Sequence, residues 1–365
     1  MTLANLASTG LAFRSSEDVL GELESACDAN PDLATFEVLG ESEEGRPIAG
    51  VTLGYGPHVV TLVAGAHADE PVGPETLRAL VLEGLAMRDW GAEDGGLAEL
   101  FERVTLRIVP HVNPDAEARN AGWIRQWDAA DPAATLGAYL RGRRRELPGR
   151  DVEFGYPAMR VENALAHDFL FSAGVPVLHA SLHGMGFSEG ALLLIEKDWL
   201  HAPAVADLKT GFVEAATEAG LRLHDHDRKG DKGFRYGGPG FTSTPEGRAM
   251  RAHFLESGDA ETAERFHLSS MEAAIAASRG QGGGIPLCIV TELPLFVLDA
   301  EDERQPGVPT TYLAFQDALP DVVERAAEGE DLSDVVEQFG VRCLDLDTQV
   351  AVHLRVLDLA LTAST

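Results

Sequence analysis

Four uninterrupted apolar runs limit how this chain can fold: His58–Ala64, Val104–Pro110, Val175–Leu182 and Leu287–Thr291. A strand with one wet face alternates apolar and polar residues. A run that is apolar throughout suits a strand buried on both faces. Between the runs lie segments of helical character, such as Pro74–Met87 and Ala204–Ala219. Strands of this kind alternating with helices predict an α/β chain, with a mixed or parallel sheet covered on both faces. Nearer the start, residues 16–29 predict a helix with an N-cap Ser and an acidic first turn. Phe36–Leu39 and Ile48–Leu53 predict two strands joined by a polar, Gly-containing turn. Residues 225–247 are charged and rich in Gly, the composition of a long loop. We expect one domain over 1–365, with an inserted Gly-rich region around 225–285 and no internal repeat.

Composition narrows the partners. The chain has 365 residues, 45% of them hydrophobic, enough to bury a sizeable core. Its 59 acidic residues against 29 Lys and Arg give a formal charge of −30. Nucleic acid and anionic membrane surfaces are therefore poor partners, since both call for clustered positive charge. No apolar stretch is long enough to span a bilayer. Cys27, Cys288 and Cys343 are too few and too widely spaced for a disulfide framework or a CxxC metal site. Together with an opening segment unlike a signal peptide, they lead us to expect a cytoplasmic protein.

In open α/β sheets, sites form beyond the carboxyl ends of the strands. The first run is followed by His67 and Glu70, the third by His183, and the fourth by Glu292. Imidazole nitrogen and carboxylate oxygen are zinc ligands, and a catalytic zinc takes three protein ligands with one position left open. His67 and Glu70, three residues apart, can converge on one ion from a single turn, and His183 can close the triad. Glu292 is then placed to take a proton from water at the open position. Taken singly, each of these residues is as well explained by capping or an ion pair. Their coincidence at the ends of separate strands is what points to a site.

At these residues the sequence resembles the M14 zinc carboxypeptidases. That family's HxxE motif and distant His correspond to His67, Glu70 and His183, and its general base to Glu292 in Thr291-Glu292-Leu293-Pro294. Gly40–Ile48 resembles the family's Gly-x-Ser-x-x-Gly-Arg-x-Ile hairpin, and Asn113-Pro114-Asp115 its Asn-Pro-Asp. The resemblance covers about 34–300. It implies a mixed, mostly parallel eight-stranded sheet with helices on both faces, one zinc ion, and hydrolysis of an amide or peptide bond. It also implies an Arg downstream of Asn-Pro-Asp that stabilises the oxyanion. Arg125 is the first choice and Arg119 the second, each balanced by the plain alternative of a surface ion pair.

Departures from the family pattern bear on the substrate. The segment that should carry an Asn-Arg clamp for a terminal carboxylate reads Asp151-Val152-Glu153-Phe154-Gly155-Tyr156-Pro157. Glu153 and Phe154 stand where Asn and Arg are expected. Either another Arg, such as Arg160 or Arg235, replaces them, or the substrate has no carboxylate there. Glu153 could then meet an amine or a cationic group, or else pair with Arg160. Asp69 stands where many members carry Arg; it either orients a metal ligand or, as we expect, caps the following helix. The stretch before Glu292 lacks the family's mobile Tyr, for which Tyr236 in the Gly-rich loop is a substitute. Three functions follow from this: a zinc hydrolase of small peptides or peptide-like substrates, a zinc deacylase or amidase of the aspartoacylase and succinylglutamate desuccinylase type, or a non-catalytic binding module on the same scaffold.

Overall fold

The computed structural model describes residues 3–6, 10–67, 69–88, 96–147, 149–150, 152–300 and 305–365. Ala68 of the HxxE segment and Asp151 of the clamp segment lie outside the described residues. Helix α1 (Ser16–Asp28) opens with a capping box, in which Ser15 and Asp18 satisfy each other's backbone N–H groups. Strands β1 (Ala34–Glu41) and β2 (Pro47–Leu53) form the expected antiparallel hairpin. β3 (His58–Ala64) follows, then α2 (Val72–Ala86), α3 (Gly96–Arg103) and β4 (Val104–Val109). Next come α4 (Pro114–Ile124), α5 (Pro132–Gly142) and α6 (Val161–Phe171).

The central pair is β5 (Pro176–Ser188) and β9 (Leu287–Val297), with β6 (Gly190–Ile195), α7 (Ala206–Glu218), β7 (Arg222–Leu223) and β8 (Phe241–Ser243) between them in sequence. Helices α8 (Gly247–Glu256), α9 (Ala260–Glu264) and α10 (Ser270–Gly280) lead into β9. The chain closes with α11 (Thr310–Glu328), α12 (Ser333–Phe339), β10 (Arg342–Cys343) and α13 (Leu346–Ser364).

The strands join one mixed sheet. Its main path has eight strands in the order β1-β2-β4-β3-β5-β9-β6-β7, with β8 and β10 pairing off it. The interior pairs β4–β3, β3–β5 and β5–β9 are parallel. One face is covered by α1, α2, α7 and α13 around residues such as Leu23, Leu80, Phe212 and Leu357. The other is covered by α6 and α10 around Phe169, Leu170 and Met271. This is the mixed α/β architecture of helices on both faces that the apolar runs predict.

Two expectations need correction. His183 and Glu292 do not lie past their strand ends. β5 and β9 stay paired beyond them, as far as Ser188 opposite Val297. A polar residue at the site interrupts the apolar run, but the backbone ladder continues. The stretch 225–247 is also not all loop, because Phe241–Ser243 adds to β6 as a parallel strand.

Candidate metal centre

The site is built where β3 ends. Gly65 turns the chain at φ +77°, a left-handed conformation that glycine adopts without strain. A Cβ there would stand 2.5 Å from the His111 ring. At the start of α2, a Cβ on Gly73 would stand 2.3 Å from the Leu182 carbonyl oxygen. Gly65 lets the turn pass close to His111 beyond β4, and Gly73 lets the start of α2 press against β5, where His67 and Glu70 meet His183.

The three side chains converge. Nδ1 of His183 lies 2.9 Å from Glu70 Oε2 and 3.0 Å from His67 Nδ1. Nδ1 of His67 is 2.9 Å from Glu70 Oε1. One donor atom from each residue lies within 4.8 Å of the other two. Ligands at normal zinc distances around a tetrahedral ion stand about 3.4 Å apart, so an outward shift of a few tenths of an ångström would seat one. His183 is buried while His67 is 31% exposed, which leaves the cluster one open side. Two imidazoles and a carboxylate, converged and open on one side, fit a zinc ion.

Electrostatics agree with that fit. Burial would raise the Glu70 carboxyl, but the charges and hydrogen bonds of His67 and His183 hold it far below the usual carboxylate range. Burial opposes charge on His183, yet the hydrogen bonds it donates to Glu153 and Glu70 lift it well above an ordinary imidazole. The cluster thus attracts positive charge, as protons or as a metal ion.

Glu292 sits beside His183 in register on β9. Burial and the Glu70 charge push its carboxyl up to about 8, against the pull of His183, His67 and Arg228. Its Oε2 is buried with no hydrogen-bond partner. A carboxyl set to titrate near neutrality beside a metal-type cluster has the form of a general base.

The other predicted residues lie as follows. Arg119 pairs with Glu44 and, at 2.8 Å, with Glu146. Arg125 is exposed at the end of α4, and its charge acts on Asp18. Arg160 is buried in ion pairs with Glu162 and Glu146, so it is not available to replace the missing clamp. Tyr236 donates its hydroxyl to Asp225 at 2.5 Å. Phe154 is buried and packs edge-on against Phe266.

Asp69 does not cap α2. The N-cap is Pro71, without a side-chain hydrogen bond, and Asp69 Oδ2 instead accepts from Arg145 Nε at 2.9 Å and Tyr139 Oη at 3.2 Å. Burial of that carboxylate demands partners, and these two supply them. Arg145 also acts electrostatically on Glu70, and Arg228 on Glu292. Neither is marked in the sequence by spacing or motif.

Glu153 is 2% exposed. Its Oε1 accepts from Ser270 N at 3.3 Å and Ser270 Oγ at 2.9 Å. Its Oε2 meets Ser181 Oγ at 3.2 Å and His183 Nε2 at 3.1 Å. A carboxylate has about four acceptor sites, and four donors fill them here. No acceptor site remains for an amine or cationic group of a substrate.

Fold and cluster together define an α/β protein with a zinc-type His-Glu-His centre. Residues 20–131 match the sequence model of the zinc carboxypeptidase family, a segment that holds His67 and Glu70 and ends before His183 and Glu292. That likeness covers under a third of the chain. Among curated relatives, carboxypeptidase E of Caenorhabditis elegans is 31% identical over 108 residues, 27% of this chain and 21% of that protein. Zinc carboxypeptidase A 1 of Drosophila melanogaster is 28% identical over 119 residues, 30% of this chain and 26% of that protein. These matches thus span about a quarter or less of the relatives' own length. A proposed metallopeptidase of Shewanella denitrificans shares the fold, with TM-score 0.50, 14% identity, and coverage of 98% of both chains. Another from Shewanella amazonensis has TM-score 0.50 and 14% identity, covering 96% of this chain and 94% of that one.

Proposed function

We propose that this protein is a zinc-dependent hydrolase of an amide or peptide bond in a small peptide or peptide-like substrate. The observation that carries the reading is the convergence of His67, Glu70 and His183 beside an in-register Glu292. His67, Glu70 and His183 would hold the ion. Bound there, zinc supplies a Lewis acid for the scissile carbonyl and for the attacking water.

Glu292 takes a proton from the attacking water on its carboxylate and passes it to the leaving amine. A carboxyl poised near neutral pH suits both transfers. Arg145 and Arg228 replace Arg125 and Arg119 as the proposed cations for the developing negative charge, because their charges already reach Glu70 and Glu292. Tyr236, held by Asp225, is a proposed substrate contact.

The engaged Glu153 and the buried Phe154 and Arg160 favour a second reading, a zinc deacylase or amidase acting on an N-acyl amino acid whose carboxylate is bound by a group other than the family's clamp. Metal analysis of the purified protein, followed by a screen on peptides with free and amidated C-termini and on N-acyl amino acids, tests both readings. Stoichiometric zinc with cleavage of any of these supports hydrolysis. A protein that binds no zinc and turns over none of them refutes it. We also propose a cytoplasmic location. Among the described residues, no helix is long and apolar enough to cross a membrane.

A further inference from the structure

We propose that Glu153 is a positioning residue for the metal centre: it fixes the tautomer and the ring plane of His183, using the position where the family resemblance expects a substrate clamp. The inference rests on the reading of His183 as a metal ligand.

His183 turns Nδ1 toward Glu70 and His67. If Nδ1 ligates, it must offer a lone pair, and the proton of the neutral ring must sit on Nε2. A buried N–H needs an acceptor. Two oxygens face Nε2, Ser181 Oγ at 2.7 Å and Glu153 Oε2 at 3.1 Å. Ser181 Oγ in turn reaches Glu153 Oε2 at 3.2 Å, so its hydroxyl proton is directed to Glu153. Both routes from Nε2 end on the same carboxylate.

That carboxylate is itself held. Ser270, the first residue of α10, gives Oε1 a backbone N–H and a hydroxyl. Negative charge is favoured at that end of an 11-residue helix. The 3₁₀ turn Val152–Phe154, buried throughout, fixes Glu153 from behind. A fixed anion behind a ligating imidazole raises its basicity and restricts its rotation. Loss of such a partner typically lowers metal affinity 10–100-fold.

The test measures zinc affinity by competition with a chromophoric chelator, on wild type, Glu153→Gln and Ser181→Ala, with the metal-free fold of each checked by circular dichroism. Glu153→Gln keeps the shape but places an amide N–H₂ against a donor on one side or the other. We expect it to bind zinc at least tenfold more weakly than wild type. Ser181→Ala should stay within about threefold, because Nε2–H can pass wholly to Glu153. Glu153→Gln binding as tightly as wild type overturns the proposal. So does a tenfold loss in Ser181→Ala, which would make the serine the acceptor that matters, and this arm decides the question if Glu153→Gln does not fold. Wild type that binds no zinc overturns the metal reading itself, a result distinct from either.

Discussion

Glu292→Gln tests the electrostatics of the site without relying on a substrate. In the metal-free protein the Glu292 carboxyl is pushed from 4.5 to about 8 by burial and by Glu70. As pH rises from 4.5 to 8, the unfolded chain gives up this proton while the folded chain keeps it. The unfolded state then binds fewer protons, so stability falls with pH across that window and levels off above it. The slope reaches at most about 1.4 kcal/mol per pH unit, and the whole effect has a ceiling of about 5 kcal/mol. Gln does not titrate, so the variant lacks this slope. Urea unfolding of chelator-treated wild type and variant at pH 5, 6.5 and 8 is the assay. The variant should gain on wild type with each step, and zinc should shrink the difference by offsetting the Glu70 charge. Parallel pH dependences would show that Glu292 is not held protonated by its surroundings. With zinc present, the same variant should keep its metal and lose about 10²–10⁴ in turnover, the usual range for a general base.

Four further outcomes follow from the geometry. His183→Ala should abolish stoichiometric zinc binding, and metal analysis that finds zinc retained would refute the triad. Arg145→Gln should lower kcat/KM on whichever amide is cleaved by about 10²-fold, a size common for an oxyanion donor, while Arg125→Gln leaves it within twofold. The reverse order in steady-state kinetics would restore Arg125. Gly65→Ala forces a Cβ toward the His111 ring from a left-handed backbone, and should cost about 1–3 kcal/mol in denaturant unfolding and weaken zinc binding. Arg78→Met leaves Glu75 and Glu117 without their shared buried cation and should destabilise by about 3–5 kcal/mol in the same assay.

The sequence reading succeeded where one physical rule governed a long stretch. Burial on both faces made β3, β4, β5 and β9 visible as apolar runs, and the residues that follow those runs, His67, Glu70 and His183, converge in the fold with Glu292 in register beside His183. It fell short where a polar residue served a neighbour distant in sequence. Asp69 precedes a helix and looks like its cap, but its partners Tyr139 and Arg145 lie on and just beyond α5, some seventy residues away. Arg145 stands in a run of three arginines with no motif to mark it. The strand lengths of β5 and β9 were hidden by the same site residues that made them notable, because His183 and Glu292 end an apolar run without ending a ladder.

The two departures from the family pattern share one consequence for charge. Asp69 and Glu153 each place a carboxylate near the centre where Arg or Asn is expected, which by sequence alone turns the site's surroundings negative and favours a cationic substrate group. In the fold both charges are answered internally. Asp69 meets Arg145 and Tyr139, and Glu153 meets His183, Ser181 and Ser270. The field beside the cluster is therefore set largely by Glu292 and by Arg228, whose charge acts on it. An arrangement of that kind gives no reason to expect a positive charge on the substrate. The peptidase and deacylase readings are then told apart by the substrate screen, as a difference in KM between acyl groups rather than as a requirement for positive charge.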